Sequence, residues 1–206
     1  MVAQQTLGDT ILDIALQLAE THSWEQLRLQ EIAQQLDISL DQIRKHYAQK
    51  DDLVEAWFDR ADSIMLQAAA SPALVNLSMR ERLHHIIMSW LDALATHHTV
   101  TRDMLLYKLE PAHIHLQLQG ILRISRTVQW IREAAQQDST HLRRILEEIG
   151  LTSIYLATFI YWMNDRSEHH QRTRTFLEHR LQEAEAMANK LPGLNPRQKT
   201  QSKANT

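Results

Sequence analysis

Cysteine is absent from this 206-residue chain, and glycine and proline are scarce, at four each. Without cysteine there is no disulfide, no thiolate zinc site and no cysteine nucleophile, and the composition suits a reducing cytoplasm, the expected location. The glycines are Gly8, Gly120, Gly150 and Gly193, and the prolines Pro72, Pro111, Pro192 and Pro196. A sheet-rich protein needs many turn residues, so this scarcity predicts long helices joined by few loops. No apolar run reaches membrane length: the uncharged, strongly apolar stretch Gly150–Asn164 is too short to span a bilayer and reads as a buried helix. Stable membrane insertion is therefore not expected. Met1–Gly8 lacks the basic start and apolar run of a secretory signal. Positive charge is not in excess either, since the formal net charge is -3. Any contact with nucleic acid must come from a local patch.

What is present is an ordinary globular composition, 44% hydrophobic and 23% charged, without internal repeats. Helical periodicity runs almost throughout. It predicts helices over Asp9–Thr21, Leu29–Leu36, Leu40–Tyr47 and from Lys50 to about Ala70. Ser39 with Gln42 forms a Ser-x-x-Gln capping box that starts the third of these sharply. Ser71-Pro72 ends the fourth, and Pro72–Leu77 is the clearest break in the pattern. Ser78 with Glu81 caps a helix to about Thr96, and a shorter one is expected over Arg102–Leu109. Further helices follow from Ile114 to about Ala135, from the caps Asp138-Ser139-Thr140 to Asn164, and over Phe176–Leu191. The fold class expected is all-α.

Two short helices locked by apolar residues around a tight turn are what a DNA-reading helix-turn-helix requires. Ile32, Ala33 and Leu36 before the turn, Ile38 within it, and Ile43 and Tyr47 after it supply that core. The run Glu31-Ile32-Ala33, Ile38-Ser39, Ile43, His46-Tyr47, Lys50 and Leu53 resembles the N-terminal domain of TetR-type transcriptional regulators in order and spacing. The resemblance implies a three-helix DNA-binding domain over residues 1–50, a helical ligand-binding and dimerisation bundle over 51–191, and a disordered tail over 192–206. It implies that Leu40, Asp41, Arg44 and Lys45 meet bases and that Gln42, His46 and Lys50 meet phosphates. Arg and Lys suit guanine edges, and the start of the Lys50 helix suits a phosphate. The sequence departs from the family pattern in three places. Asp37 stands where a glycine is usual, Arg44 where an aromatic is usual, and no basic residue precedes the first helix. Residues 1–60 carry five Lys and Arg against eleven Asp and Glu, an acidic headpiece with its cations gathered at the third helix. Weak, salt-sensitive non-specific DNA binding follows from that balance.

The C-terminal half carries a second resemblance. Ile154-Tyr155, Thr158, Asp165, Ser167, Thr173, Phe176-Leu177-Glu178, Arg180 and Leu181 form a gapless match, echoed at Trp24, Trp130 and Asp138-Ser139-Thr140. They resemble the closing segment of the TetR-fold lipid-binding proteins of ubiquinone biosynthesis. That resemblance implies an apolar pocket for an isoprenoid or other lipid. The membrane-touching amphipathic helix of those relatives has no counterpart in the short polar segment after Leu191. Bottom-up, Met88, Trp90, Met104, Tyr107, Trp130, Tyr155, Phe159 and Trp162 are bulky enough to line a ligand cavity in a helical bundle, and equally ordinary as core. Leu151–Trp162 and Phe176–Leu191 carry apolar residues over wide arcs. By the TetR resemblance this pair forms a homodimer interface through Leu151, Ile154, Thr158, Phe176, Leu177, Leu181 and Ala184, and a two-fold dimer suits a palindromic double-stranded DNA operator. Asp165 reads as a cap of the last helix together with Ser167.

Twelve histidines invite a metal, but His84-His85, His97-His98 and His169-His170 are adjacent pairs whose side chains diverge by about 100° on a helix. No P-loop, Rossmann glycine fingerprint, Gly-x-Ser-x-Gly elbow or His-Glu-x-x-His motif occurs. No cofactor, no metal and no enzyme activity are expected. The leading expectation is a ligand-responsive DNA-binding regulator acting as a repressor, with a small hydrophobic or lipid effector. The alternative is a lipid-binding accessory protein of ubiquinone biosynthesis that kept the fold without DNA binding.

Overall fold

A computed structural model describes residues 6–108, 124, 126–135 and 141–190 of the chain. Every regular element among them is helical. In chain order these are α1 (Leu7–His22), α2 (Leu29–Leu36), α3 (Leu40–His46), α4 (Lys50–Ala69), α5 (Met79–Ala95), α6 (His98–Lys108), α7 (126–134), α8 (His141–Met163) and α9 (Gln171–Lys190). Single 3-10 turns lie at Pro72–Leu74 and Glu168–His170. The expected tail at 192–206, most of the expected helix from Ile114, and the caps at Asp138–Thr140 lie outside the described residues.

By their internal contacts the described residues divide into two compact units, one within Met1–Gln67 and Ser89–Ile124, the other within Ala68–Met88 and Ser125–Thr206. In the first, α1 packs on α2, α3 and α6. Ile11, Leu12, Ala15, Leu16 and Ala19 repeat at helical spacing and bury one face of α1. Trp24, Ile32, Ile43 and Leu53 join them, each fully excluded from solvent, and each such side chain contributes roughly 1.5–3 kcal/mol. The first helix begins at Leu7, ahead of the expected Asp9, because Thr6 and Asp9 close a capping box: the Thr6 hydroxyl accepts from Asp9 N–H at 3.2 Å and the Asp9 carboxylate accepts from Thr6 N–H at 3.2 Å. Helix α2 matches its expected span. Helix α6 starts four residues before Arg102, with the Thr101 N–H and hydroxyl both donating to the His97 carbonyl at 2.9 Å.

In the second unit, α8 packs along α9. Leu151, Tyr155, Thr158, Phe159 and Trp162 of α8 and Thr173, Leu177 and Leu181 of α9 are buried. Arg80 on α5 pairs with Glu178 and, at 3.3 Å, with Glu185, pinning α5 to α9. Helix α9 starts at Gln171, five residues before the apolar stripe at Phe176 announced it. Its first turn is held from outside: the Ser167 hydroxyl accepts from Arg172 N–H at 3.1 Å, and Asp165 accepts from Thr173 N–H at 2.9 Å and from the Thr173 hydroxyl at 2.7 Å.

Candidate nucleic-acid interface

The turn between α2 and α3 is built by local chemistry. Asp37 leaves α2 in the left-handed region, φ 52° and ψ 45°, and the following Ile38 N–H closes back on the Ala33 carbonyl at 3.0 Å. This is a Schellman-type stop, and it explains why the family favours glycine here: only glycine takes that conformation without a Cβ penalty, and aspartate is among the few residues that tolerate it. Ser39 then starts α3. Its hydroxyl accepts from Gln42 N–H at 3.2 Å, while the Gln42 side-chain oxygen accepts from Ser39 N–H at 2.9 Å. Ile32, Ala33 and Ile43 are buried, and Leu36, Ile38 and Tyr47 are half-buried. Only Ile43 of α3 is buried.

Two contacts seat α3 on α1. The Tyr47 hydroxyl donates to the Gly8 carbonyl at 3.1 Å. A Cβ on Gly8 would come 3.3 Å from His46 Nδ1, a tight contact with an exposed ring, and 3.7 Å from the Tyr47 hydroxyl, ordinary van der Waals contact. Burial, above all, pushes the Tyr47 phenol above its ordinary pKa, which keeps the proton it donates.

Leu40, Asp41, Arg44, Lys45 and His46 all stand exposed on α3, Leu40 at 50% of its full surface. Asp41 bridges its neighbours: Arg44 Nη2 lies 3.0 Å from one carboxylate oxygen and Lys45 Nζ 3.0 Å from the other. The spacings, three and four residues, put all three side chains on one face of the helix. Lys45 first, then Arg44, hold the Asp41 carboxyl below the usual carboxylate range. Gln42 is exposed but engaged in the capping box. Lys50 turns inward. Its ammonium donates to the carbonyls of Trp24 at 2.5 Å and Glu25 at 3.0 Å and lies 5.1 Å from the Trp24 ring centre. Burial lowers its pKa, against opposing pulls from Asp51, Glu25 and Glu31.

Behind this surface the first unit contains buried polar links that the sequence reading did not pick out. Trp90 donates its indole N–H to Asp62 at 2.7 Å, and Trp57 donates to the Thr101 hydroxyl at 2.9 Å. Asp62 is buried on the same stripe of α4 as Phe58 and Met65. A carboxylate four residues after one apolar stripe position and three before another was the available signal. Arg60 on α4 donates to Asp13 on α1 at 2.5 Å, and His97 meets Glu20 at 2.6 Å.

The residues expected to line a ligand pocket divide between the units. Trp90 and Met104 are core of the first, Trp90 stacked on Phe58 with ring centres 5.9 Å apart. Met88, Tyr155, Phe159 and Trp162 are buried in the second, where Tyr155, Phe159 and Trp162 form a continuous stack. Trp130, by contrast, is 44% exposed, and the Tyr107 side chain lies outside the described residues. Of the residues expected at a dimer interface, Leu151, Thr158, Leu177 and Leu181 are buried in the chain's own core, and Ile154, Phe176 and Ala184 are half-buried. The outward apolar residues of the same helices are others: Ile149, Ile160, Tyr161 and Met187. Around Tyr161, which stacks on Phe176 at 4.6 Å, run two open grooves of about 370 and 320 Å³, lined among others by Ala157, Ile160, Arg172 and His179. Among the described residues, no helix is long and apolar enough to cross a membrane.

A family model described as COQ9 matches residues 120–188, the stretch containing the Ile154–Leu181 signature. None of the curated proteins matches the chain. Among solved structures, the TetR transcriptional regulator from Nitrosomonas europaea is 50% identical, with 87% of this chain and 98% of that one covered at a TM-score of 0.80. A bacterial regulatory protein in the tetR family from Rhodococcus RHA1 is 15% identical, with 87% and 97% covered and a TM-score of 0.49. Half of the aligned residues are identical, over almost the whole of the Nitrosomonas chain. This chain belongs to the TetR family of transcriptional regulators.

Proposed function

We propose that the protein is a homodimeric transcriptional repressor that reads a palindromic operator through α3 and releases it when a hydrophobic effector binds among its C-terminal helices. The observation that carries this reading is the exposure of Leu40, Asp41, Arg44 and Lys45 on a short helix seated by buried Ile32 and Ile43 and the Tyr47–Gly8 bond. In this reading residues 1–50 bind DNA and 51–191 serve effector and partner. The effector's apolar contacts are Met88 and the Tyr155–Phe159–Trp162 stack. The partner meets the outward stripe Ile149, Ser153, Ala157 and Ile160 of α8, residues three and four apart on one face, with Phe176 of α9. An effector that favours one spacing of the two recognition helices shifts the population away from the DNA-bound form.

Selection from a random duplex pool at low salt tests it. Wild type should enrich a two-fold symmetric site, and Arg44→Ala with Lys45→Ala should lose that site by about a hundredfold or more while retaining helicity. Failure of wild type to enrich any sequence sinks the repressor reading. The match to the COQ9 model over residues 120–188 favours a second reading, an isoprenoid-binding accessory protein of ubiquinone biosynthesis. Native mass spectrometry decides that one: a co-purifying isoprenoid supports it, and an empty protein counts against it.

A further inference from the structure

Asp41 is the one carboxylate on α3. It lies in the first turn of the recognition helix, it is exposed, and both of its oxygens are taken by the two cations best placed to meet DNA, Arg44 and Lys45, each at 3.0 Å. A duplex approaching α3 brings a dense row of phosphates, and affinity for DNA of any sequence grows with the number of those phosphates that cations neutralise. Asp41 works against this twice: its own charge repels phosphate, and its two ion pairs must loosen before Arg44 or Lys45 can reach out. The other acids nearby, Asp37 in the turn and Asp51 and Asp52 at the start of α4, add to the same negative field. The DNA backbone compensates nothing of a carboxylate pressed against it, because phosphates offer only acceptors.

The major groove offers two donors, the N4 amino group of cytosine and the N6 amino group of adenine. Adenine sets its N7 lone pair beside the amino group, where it faces the second carboxylate oxygen; cytosine has no acceptor there. A carboxylate therefore favours cytosine, as a guanidinium favours guanine N7 and O6. We propose that Asp41 is a specificity-determining residue: in free protein it holds Arg44 and Lys45 back from phosphates, and at the operator it exchanges them for a cytosine amino group. One residue then lowers affinity for bulk DNA and raises selectivity for a site that presents cytosine to Asp41 and guanine to Arg44. This deepens the repressor reading and rests on it.

The test compares wild type, Asp41→Asn and Asp41→Ala in the same random-pool selection, with titration of a random-sequence duplex across salt concentrations. Circular dichroism melts establish that the variants are folded, as an exposed, isosteric Asn replacement should be. Wild type should enrich half-sites with an invariant cytosine. Asp41→Asn should move that position toward adenine, which an amide can bind through both N6 and N7, and Asp41→Ala should lose preference there. Both variants should bind random duplex about three- to tenfold more tightly at low salt, the effect of freeing two exposed ion pairs, with a steeper salt dependence. If wild type enriches a site and both variants enrich the same one with unchanged non-specific affinity, the assignment of Asp41 falls and the repressor reading stands. If none of the three enriches any sequence, the repressor reading falls and takes this with it.

Discussion

Tyr47 and Gly8, thirty-nine residues apart, are joined by a 3.1 Å hydrogen bond from the phenol to the backbone carbonyl, and this bond ties the end of α3 to the start of α1. A helix of seven residues with one buried side chain has little else to fix its direction. Tyr47→Phe keeps the ring and removes the donor. The expected loss is about 1 kcal/mol, seen as a fall of roughly 2–4 °C in melting temperature for a chain of this size. Operator affinity should fall by more than that stability change alone explains, because α3 gains freedom to swing. An unchanged melting temperature and unchanged affinity would show that the ring packing, and not the hydroxyl, seats the helix.

Asp37 holds a backbone conformation that side chains resist, at φ 52° and ψ 45°. Asp37→Gly removes the Cβ conflict, but glycine is also freer in the unfolded chain, so the net change should lie within about 1 kcal/mol of zero or on the stabilising side. Asp37→Val combines a branched Cβ with the same backbone and should cost about 2 kcal/mol. Urea midpoints for the two variants check the order. Equal stability of Gly and Val at this position would mean that the turn relaxes out of the left-handed region.

Lys50 sits at the head of α4, where the family resemblance puts a phosphate contact, yet its ammonium is engaged by the Trp24 and Glu25 carbonyls. Those carbonyls close the segment between α1 and α2, and hydrogen bonds from a charged donor are worth about 1.5–3 kcal/mol each when removed from a part-buried site. Lys50→Met should therefore destabilise the protein by about 2 kcal/mol and leave the slope of log affinity against log salt unchanged. A slope reduced by about one unit, with stability intact, would instead make Lys50 a phosphate contact.

The helix-turn-helix was legible in the sequence because each of its signals is local. Ile32, Ala33 and Ile43 follow helical spacing, and Ser39 with Gln42 is a cap written within four residues. The partners of Lys50 and Tyr47 lie 26 and 39 residues away, and spacing carries no information at that range. The start of α9 was half legible: Asp165 and Ser167 read as its cap, but Gln171–Thr175 is polar, so the apolar stripe placed the helix only from Phe176. The outward face of α8 was hidden differently. Apolar residues cover a wide arc of that helix, so periodicity alone did not separate Leu151 and Thr158, which the chain buries itself, from Ile149 and Ile160, which it leaves exposed.

Asp165 gives the second unit a measurable acid response. Burial by itself would raise its carboxyl, but hydrogen bonds from Thr173 and Ser167, side chain and backbone together, outweigh it and hold the pKa at about 2. The unfolded value is about 3.9, so the folded state binds the proton more weakly, and stability from this group is fully present above about pH 5. It drains away as pH falls through the unfolded value toward about 2, a total of roughly 2 kcal/mol. Asp165→Asn keeps the shape but not the charge and turns one acceptor into a donor, which must face either the Ser167 N–H or the Thr173 N–H. The variant should be less stable by about 2 kcal/mol at pH 7, with the gap to wild type narrowing steadily between pH 5 and 3. Thr173→Val, which removes only the hydroxyl donor, should lose a smaller amount over the same window. Urea unfolding at pH 7, 5, 4 and 3 measures both, and a gap that stays constant across those points would mean that the charge on Asp165 contributes nothing to holding the first turn of α9.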